Sequence, residues 1–190
     1  AKPDSLEDSL KAAGAIDVVF HLGALLPKSG VKKSTEEYIT ANTILTCRLL
    51  EHYFKSPASS FVYASGLPVI GKPTQIPIKE DHPTYPLHPY LLSKLGGEQA
   101  FEMFRQTSGF NISSLRISSP YGPGMNTDSV MPLFVQKAIK SENIQLYGSG
   151  KRSQNFVHVS DVTNALSLSA TTTYPGVYNI AGPSSCSMID

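Results

Sequence analysis

The chain has 190 residues, 41% of them hydrophobic, with 14 Gly and 14 Pro, which supports one sizeable core with many turns and excludes a disordered polypeptide. Its 16 basic and 15 acidic side chains leave a net charge of +1 with no block of one sign, so neither nucleic acid nor an anionic membrane is an expected partner. Cys47 and Cys186 offer no disulfide framework, no His or Cys spacing suggests a metal, and no apolar run reaches membrane-spanning length; a soluble, cytoplasmic protein is expected.

In chain order, Ser5 and Asp8 carry a capping-box pattern that predicts a short amphipathic helix over 3–15. DVVFHL (17–22) is apolar without alternation, as in a parallel strand covered on both faces. Tyr38, Ile39, Leu45, Leu49 and Leu50 space a long helix from Ser34 to Phe54, ended by Ser56 and Pro57. SFVYAS (60–65) reads as a second buried strand. Six prolines and two glycines between 66 and 89 predict a long ordered loop of the kind that carries function. Pro89 opens a helix to about Ser108, with Leu92, Leu95, Phe101 and Phe104 as its apolar set. NISSLRI (111–117) is a third strand, SSPYGPG (118–124) a turn cluster, and 130–141 a helix. IQLY (144–147), NFVHV (155–159) and VYNIA (177–181) predict further strands, with a helix over about 161–169.

Strands alternating with helices predict an α/β fold, a Rossmann-like parallel sheet with helices on both faces. Ligands of such sheets lie beyond the carboxyl ends of the strands. Those exits read HLGALL, YASGLPVIG and RISSPYGPG, rich in small residues that let backbone amides approach a ligand. In PYLLSKLGG (89–97), Tyr90 and Lys94 stand four residues apart on one helix face, either as a catalytic acid and its tuner or as ordinary neighbours. Tyr147 and Lys151 repeat the spacing across YGSGK, where no helix is expected, so spacing alone does not decide.

These exits, taken in order, resemble the extended short-chain dehydrogenase/reductase superfamily and, within it, the NAD-dependent epimerase/dehydratase family of nucleotide-sugar enzymes. DVVFHLGAL is similar to the strand ending in H-[LF]-A-[AG]. The Asn42 region resembles the N-x-x-G-T helix, with Leu45 at the usual glycine, and FVYASGLPVIG resembles SS-x-x-x-YG. PYLLSKLGGEQ resembles the Y-x-x-x-K helix; RISSPYGPG, MPLFVQKAI, IQLYGSG, FVHVSDV and VYNIAG then follow in family order. The resemblance implies NAD or NADP as cofactor, lying along Leu22, Gly23, Ala24, Asn42, Ala64, Tyr90, Lys94, Ile117 and Pro120. It implies hydride transfer on a sugar nucleotide or related hydroxyl or carbonyl substrate, with Tyr90 as acid/base and Lys94 lowering the phenol pKa and holding ribose hydroxyls.

The third active-site member, a Ser or Thr, falls on Gly66, which has no hydroxyl; losing such a donor costs about 3 to 4 kcal/mol of transition-state stabilisation. Ser65 is the candidate replacement, although successive strand residues face opposite ways. Of the substrate contacts, Gly66 aside, the family's Asn and Arg fall on Ser119 and Gln154, and a neutral amide lacks the bidentate grip of guanidinium on phosphate. The resemblance also implies a fragment lacking the G-x-x-G-x-x-G turn, with GSGK (148–151) better read as a turn, so cofactor binding by these residues alone is doubtful. Residues 1–117 then form a partial dinucleotide-binding domain, and 118–190 serve part of a small substrate subdomain before returning to the sheet. A homodimer through 34–54 and 89–108 is implied for the full-length protein, with Tyr38, Leu45, Leu49 and Phe101 either on that face or in the core. A non-catalytic dinucleotide-binding relative, a sensor or structural subunit, and an inactive fragment stay open beside the enzyme.

Overall fold

The computed structural model describes residues 8–10, 12–13, 16–28, 30–54, 60–146 and 148–189. Four parallel strands, β1 (Val18–His21), β2 (Ser60–Gly66), β3 (Asn111–Ile117) and β6 (Val177–Ile180), make the main sheet in the order β1-β2-β3-β6. The register pairs His21 with Tyr63, Gly66 with Ile117, and Ile117 with Ile180. All four carboxyl ends therefore open on one edge, where the exits HLGALL, YASGLPVIG and RISSPYGPG gather. A second sheet of β4 (Ser119–Tyr121), β5 (Ser153–His158) and β7 (Ser185–Ser187) lies beyond that edge, β4 parallel and β7 antiparallel to β5.

Alternation along β2 sorts the core into two layers. Phe61 and Tyr63 face one side and pack with Leu49, Leu50 and Tyr53 of helix α1 (35–54) and with Ala100 and Phe101 of helix α2 (Pro89–Ser108). Val62 faces the other side and packs with Leu115, Val157, and Val162 and Leu166 of α4 (Val159–Thr171). Tyr38, Leu49 and Phe101 are buried core residues and Leu45 is half-buried. Helix α3 (Val130–Ile139) has no buried residue.

Helix α1 starts at a complete capping box, Ser34 with Glu37, and runs as Thr35–Tyr38, then a π-helical turn Ile39–Ile44, then α-helix Leu45–Phe54. The Leu45 N–H reaches back five residues to the Thr40 carbonyl, the widened ladder that often marks a functional position. Helix α2 starts where His88 Nδ1 accepts the Tyr90 N–H at 3.1 Å and ends at Gly109, whose φ of +70° suits a residue without Cβ.

Three expectations need correction. IQLY is not a strand over its described part: Ile144–Leu146 have no ladder partner, and Ile144 is 40% exposed. SSPYGPG is not wholly a turn, because Ser119–Tyr121 pairs with Phe156–His158 far along the chain. The long helix 34–54 carries the π turn that a 3.6-residue period does not show. Of the helix expected over 3–15, residues 8–10 and 12–13 are helical; the rest, Ser5 included, lies outside the described residues, as does Tyr147.

Candidate active site

Tyr90 and Lys94 stand on the first turns of α2, at the edge where the strands open. Between them, Ser93 is fully buried; its hydroxyl donates to the Tyr90 carbonyl at 2.7 Å and accepts from Asn42 Nδ2 at 2.9 Å. Asn42 also grips the exit of β1, its Oδ1 accepting the Leu25 N–H at 2.6 Å and its Nδ2 donating to the Leu25 carbonyl at 3.1 Å. Asn42 lies within the π turn, and its one amide joins the β1 exit to the turn that carries Tyr90 and Lys94. Gly23 leaves that exit bare: an added Cβ there would meet nothing within 4 Å.

The Lys94 side chain is 3% exposed, and its ammonium lies 4.2 Å from the centroid of the Tyr63 ring. The ring face attracts the cation. Among the described residues no hydrogen bond or ion pair engages this ammonium. Burial draws its pKa from 10.5 down to about 8, opposed by the charge of Glu98. Burial also pushes the Tyr90 phenol above its ordinary value, the reverse of the lowering expected from Lys94, whose ammonium sits over Tyr63 instead.

Behind the pair, the His21 ring stacks on Tyr63 at 5.4 Å between centroids. The Thr46 hydroxyl spends its one proton on the Asn42 carbonyl at 2.5 Å, so His21 Nε2, 2.7 Å from it, is the donor of that contact. Burial first, then the charge of Lys94, draws the His21 pKa down to about 4, so the imidazole is neutral near pH 7.

Ser65 and Gly66 part at the end of β2. Ser65 faces α2, where its buried hydroxyl donates to Glu98 Oε1 at 2.5 Å. That hydroxyl is held under the site by a carboxylate. Gly66 has extended backbone, φ −131° and ψ 132°, and an added Cβ would meet only Pro68 Cδ, at 3.6 Å. Ala64 is half-buried beside Leu115, Ile117 packs into the layer under α4, and Pro120 is exposed on β4. Leu22 is 54% exposed and Ala24 half-buried. A cleft of about 690 Å³ follows β1 as far as Gly23, Ala24 and Leu25, but neither Tyr90 nor Lys94 lines it. Ser119 and Gln154, distant in sequence, meet: Gln154 Nε2 donates to Ser119 Oγ at 2.5 Å. The contact joins two neutral groups, with no charge between them.

Sequence reasoning missed Ser93, Glu98 and Arg116. Arg116 is 5% exposed within β3 and meets Glu98, 2% exposed, through Nη2 and Oε2 at 2.9 Å. The signal was present: an arginine inside an otherwise uncharged buried strand requires a buried partner, and Glu98 lies one turn beyond Lys94.

An open parallel sheet whose exits converge on a Tyr-Lys helix places the protein among Rossmann-like α/β proteins of the short-chain dehydrogenase/reductase type. The profile of the NAD dependent epimerase/dehydratase family matches residues 1–181. A putative UDP-glucose 4-epimerase of Methanocaldococcus jannaschii is 32% identical over 157 residues, covering 79% of this chain and 50% of that protein. A dTDP-glucose 4,6-dehydratase of Actinoplanes is 28% identical over 167 residues, covering 87% of this chain and 52% of that protein. Among solved structures, UDP-N-acetylglucosamine 4-epimerase from Methanobrevibacter ruminantium, in complex with UDP-N-acetylmuramic acid, superposes with a TM-score of 0.88 at 26% identity, covering 100% of this chain and 63% of that one. UDP-glucuronic acid 4-epimerase from Bacillus cereus, in complex with UDP-glucuronic acid and NAD, gives a TM-score of 0.84 at 26% identity, covering 96% and 59%.

The chain belongs to the NAD dependent epimerase/dehydratase family. It spans about half the length of the curated relatives it matches. The residues present fit the nicotinamide and ribose side of the family's cofactor: a buried ammonium with no hydrogen bond or ion pair among the described residues stands on the first turns of α2, and Gly23 leaves the β1 exit of the same sheet edge bare. Among the described residues no group of three or more His, Cys, Asp or Glu is arranged to hold a metal, and no helix is long and apolar enough to cross a membrane.

Proposed function

We propose that the intact protein is an NAD-dependent enzyme that oxidises and re-reduces a secondary alcohol of a nucleotide sugar, with Tyr90 as acid/base and Lys94 as the cation beside it. The observation that carries this reading is the Lys94 ammonium, buried yet unpaired among the described residues, one helical turn from Tyr90 at the strand exits. Nicotinamide, when bound, supplies the hydride acceptor. Tyr90 Oη takes the hydroxyl proton as the alcohol is oxidised and returns it on reduction, which keeps charge off the substrate oxygen. Burial holds the resting phenol protonated, so Lys94 must stabilise the phenolate whenever Tyr90 acts as base. Asn42 and Ser93 hold the β1 exit and the catalytic turn in register. The epimerases and the dehydratase named above supply the substrate class, a sugar linked to UDP or dTDP.

The intact protein mixed with NAD and UDP-glucose, UDP-glucuronic acid or dTDP-glucose is expected to convert at least one of them, with Tyr90→Phe losing at least a hundredfold in kcat. Turnover that survives in Tyr90→Phe overturns the reading. A second reading, a non-catalytic NAD-binding relative, is favoured by Gly66 and by the engagement of Ser65 with Glu98. Gly66→Ser separates the two, because the space and extended backbone at 66 admit a side chain. For a working enzyme the added donor is expected to raise kcat by about two to three orders of magnitude. For a sensor, NAD binds and neither variant turns over substrate.

A further inference from the structure

Beneath the catalytic turn lies a buried group of charges that the proposed chemistry does not use. Glu98 is placed on α2 four residues after Lys94. Its Oε1 accepts from Ser65 Oγ at 2.5 Å and Arg116 Nε at 3.2 Å; its Oε2 accepts from Arg116 Nε at 3.1 Å and Nη2 at 2.9 Å. Arg116 Nη1 continues to the Glu80 carbonyl at 3.0 Å, in the proline-rich loop. One carboxylate therefore joins α2 to the ends of β2 and β3 and, through Arg116, to the loop that follows β2. Replacing such a pair with apolar residues is often neutral or stabilising, so its place under the turn of Tyr90 and Lys94 is not explained by stability alone.

We propose that Glu98 is a positioning residue for the Tyr90–Lys94 pair, fixing the height of the catalytic turn above the sheet and supplying the negative charge against which the Lys94 ammonium is held. The inference rests on the reading of Tyr90 and Lys94 given above. The Lys94 ammonium lies over the Tyr63 ring of β2 and is coupled by charge to His21 of β1 and to Glu98 on its own helix, with Tyr90 one turn before it and Arg116 of β3 bound to Glu98; α1 contributes the uncharged Asn42, Thr43 and Thr46, bonded to Ser93 and His21. His21 is neutral near pH 7 and Tyr63 is held protonated by burial. Glu98 is then the anion in this set that opposes the loss of the Lys94 proton by burial. Removing it exposes Lys94 to burial without compensation, and the amine gives up its proton at lower pH.

Competitive amine labelling of the intact protein, read at Lys94 by peptide mass spectrometry across pH 5 to 11, measures this directly and needs no substrate. The wild-type midpoint is expected near 8. In Glu98→Gln it is expected to fall by about one pH unit, and in Glu98→Asp to return most of the way; Glu102→Gln, one turn further along α2, is expected to leave it in place. Because Glu98→Gln strands the Arg116 charge, Glu98→Leu combined with Arg116→Leu supplies a variant in which both buried charges are gone. A midpoint unmoved in this folded double variant overturns the proposal. The alkaline limb of kcat should shift with the labelling midpoint. A labelling shift in an enzyme whose Tyr90→Phe variant keeps full turnover instead sinks the reading of Tyr90 while leaving Glu98 as the group that holds Lys94 charged.

Discussion

His21 and Lys94 lie against the same aromatic ring, Tyr63, one stacked on it and one with its ammonium over its face. Burial disfavours a charged imidazole there, and the Lys94 ammonium on the same ring adds to it, so the folded pKa of about 4 lies below the ordinary 6.5. Between those values the unfolded chain binds a proton that the folded chain does not, so stability rises with pH through that window. The contribution is complete above 6.5 and is lost as pH falls through 4, amounting to at most about 3 kcal/mol at 1.36 kcal/mol per unit. Urea unfolding between pH 7 and 4 is expected to show this loss in the wild type and a flatter profile in His21→Asn. Equal slopes would place the acid sensitivity elsewhere. At this scale the sequence was partly legible. Tyr90 and Lys94 stand at a helix start that the hydrophobic pattern locates, whereas Asn42 was legible only through the resemblance of its helix to the family's N-x-x-G-T. The ties of Ser65 and Ser93 were not legible, because a serine that faces a buried carboxylate and one that faces solvent are the same letter.

Helix α2 approaches the sheet and α1 through consecutive glycines. A Cβ at Gly97 would come within 2.3 Å of the Tyr63 hydroxyl and 2.6 Å of its ring carbon Cζ, and one at Gly96 within 2.9 Å of the Thr43 side chain. The absence of these two methyl groups lets the Lys94 turn lie directly on Tyr63. Gly97→Ala is a test of sign. Helix propensity alone would favour alanine by about 1 kcal/mol, but the Tyr63 ring is fully buried and stacked on Phe101 at 4.8 Å between centroids. It cannot yield cheaply, and overpacking costs about 1 to 3 kcal/mol. Thermal unfolding of Gly97→Ala is therefore expected at lower temperature than wild type, with the Lys94 turn displaced; a stabilised variant would show that α2 can lift without penalty. The same helix was readable end to end, because Pro89 at its start and Gly109 beyond its end act through local backbone geometry. The π turn of α1 and the short strand β4 were not. The first coincides with the contacts of Asn42 to Leu25 and Ser93, and the second exists through pairing with a segment more than thirty residues away.

Across the whole molecule, the loop that leaves β2 is held by the last strand of the main sheet. Asn179 of β6 donates from its backbone to Glu80 Oε1 at 3.0 Å and from Nδ2 to the Ile78 carbonyl at 3.1 Å, while Arg116 of β3 donates to the Glu80 carbonyl. Within the loop, Tyr85 N–H donates to the Val69 carbonyl and His82 takes the Thr74 N–H. The composition of 66–89 predicted a loop with structure, but its anchor arrives about a hundred residues later in the chain, beyond the reach of any local pattern. Asn179→Ala removes one anchor, leaves the Ile78 carbonyl without that donor, and touches neither Tyr90 nor Lys94. Its cost is expected to be about 1 to 2 kcal/mol, confined to the loop because β3 still holds Glu80 from the other side. Hydrogen exchange should then quicken over 71–88, where local opening costs less than global unfolding, while the amides of β2 and β3 keep their protection. If the strands quicken equally, the loop and the sheet open as one unit, and the anchor at Asn179 does not act on the loop alone.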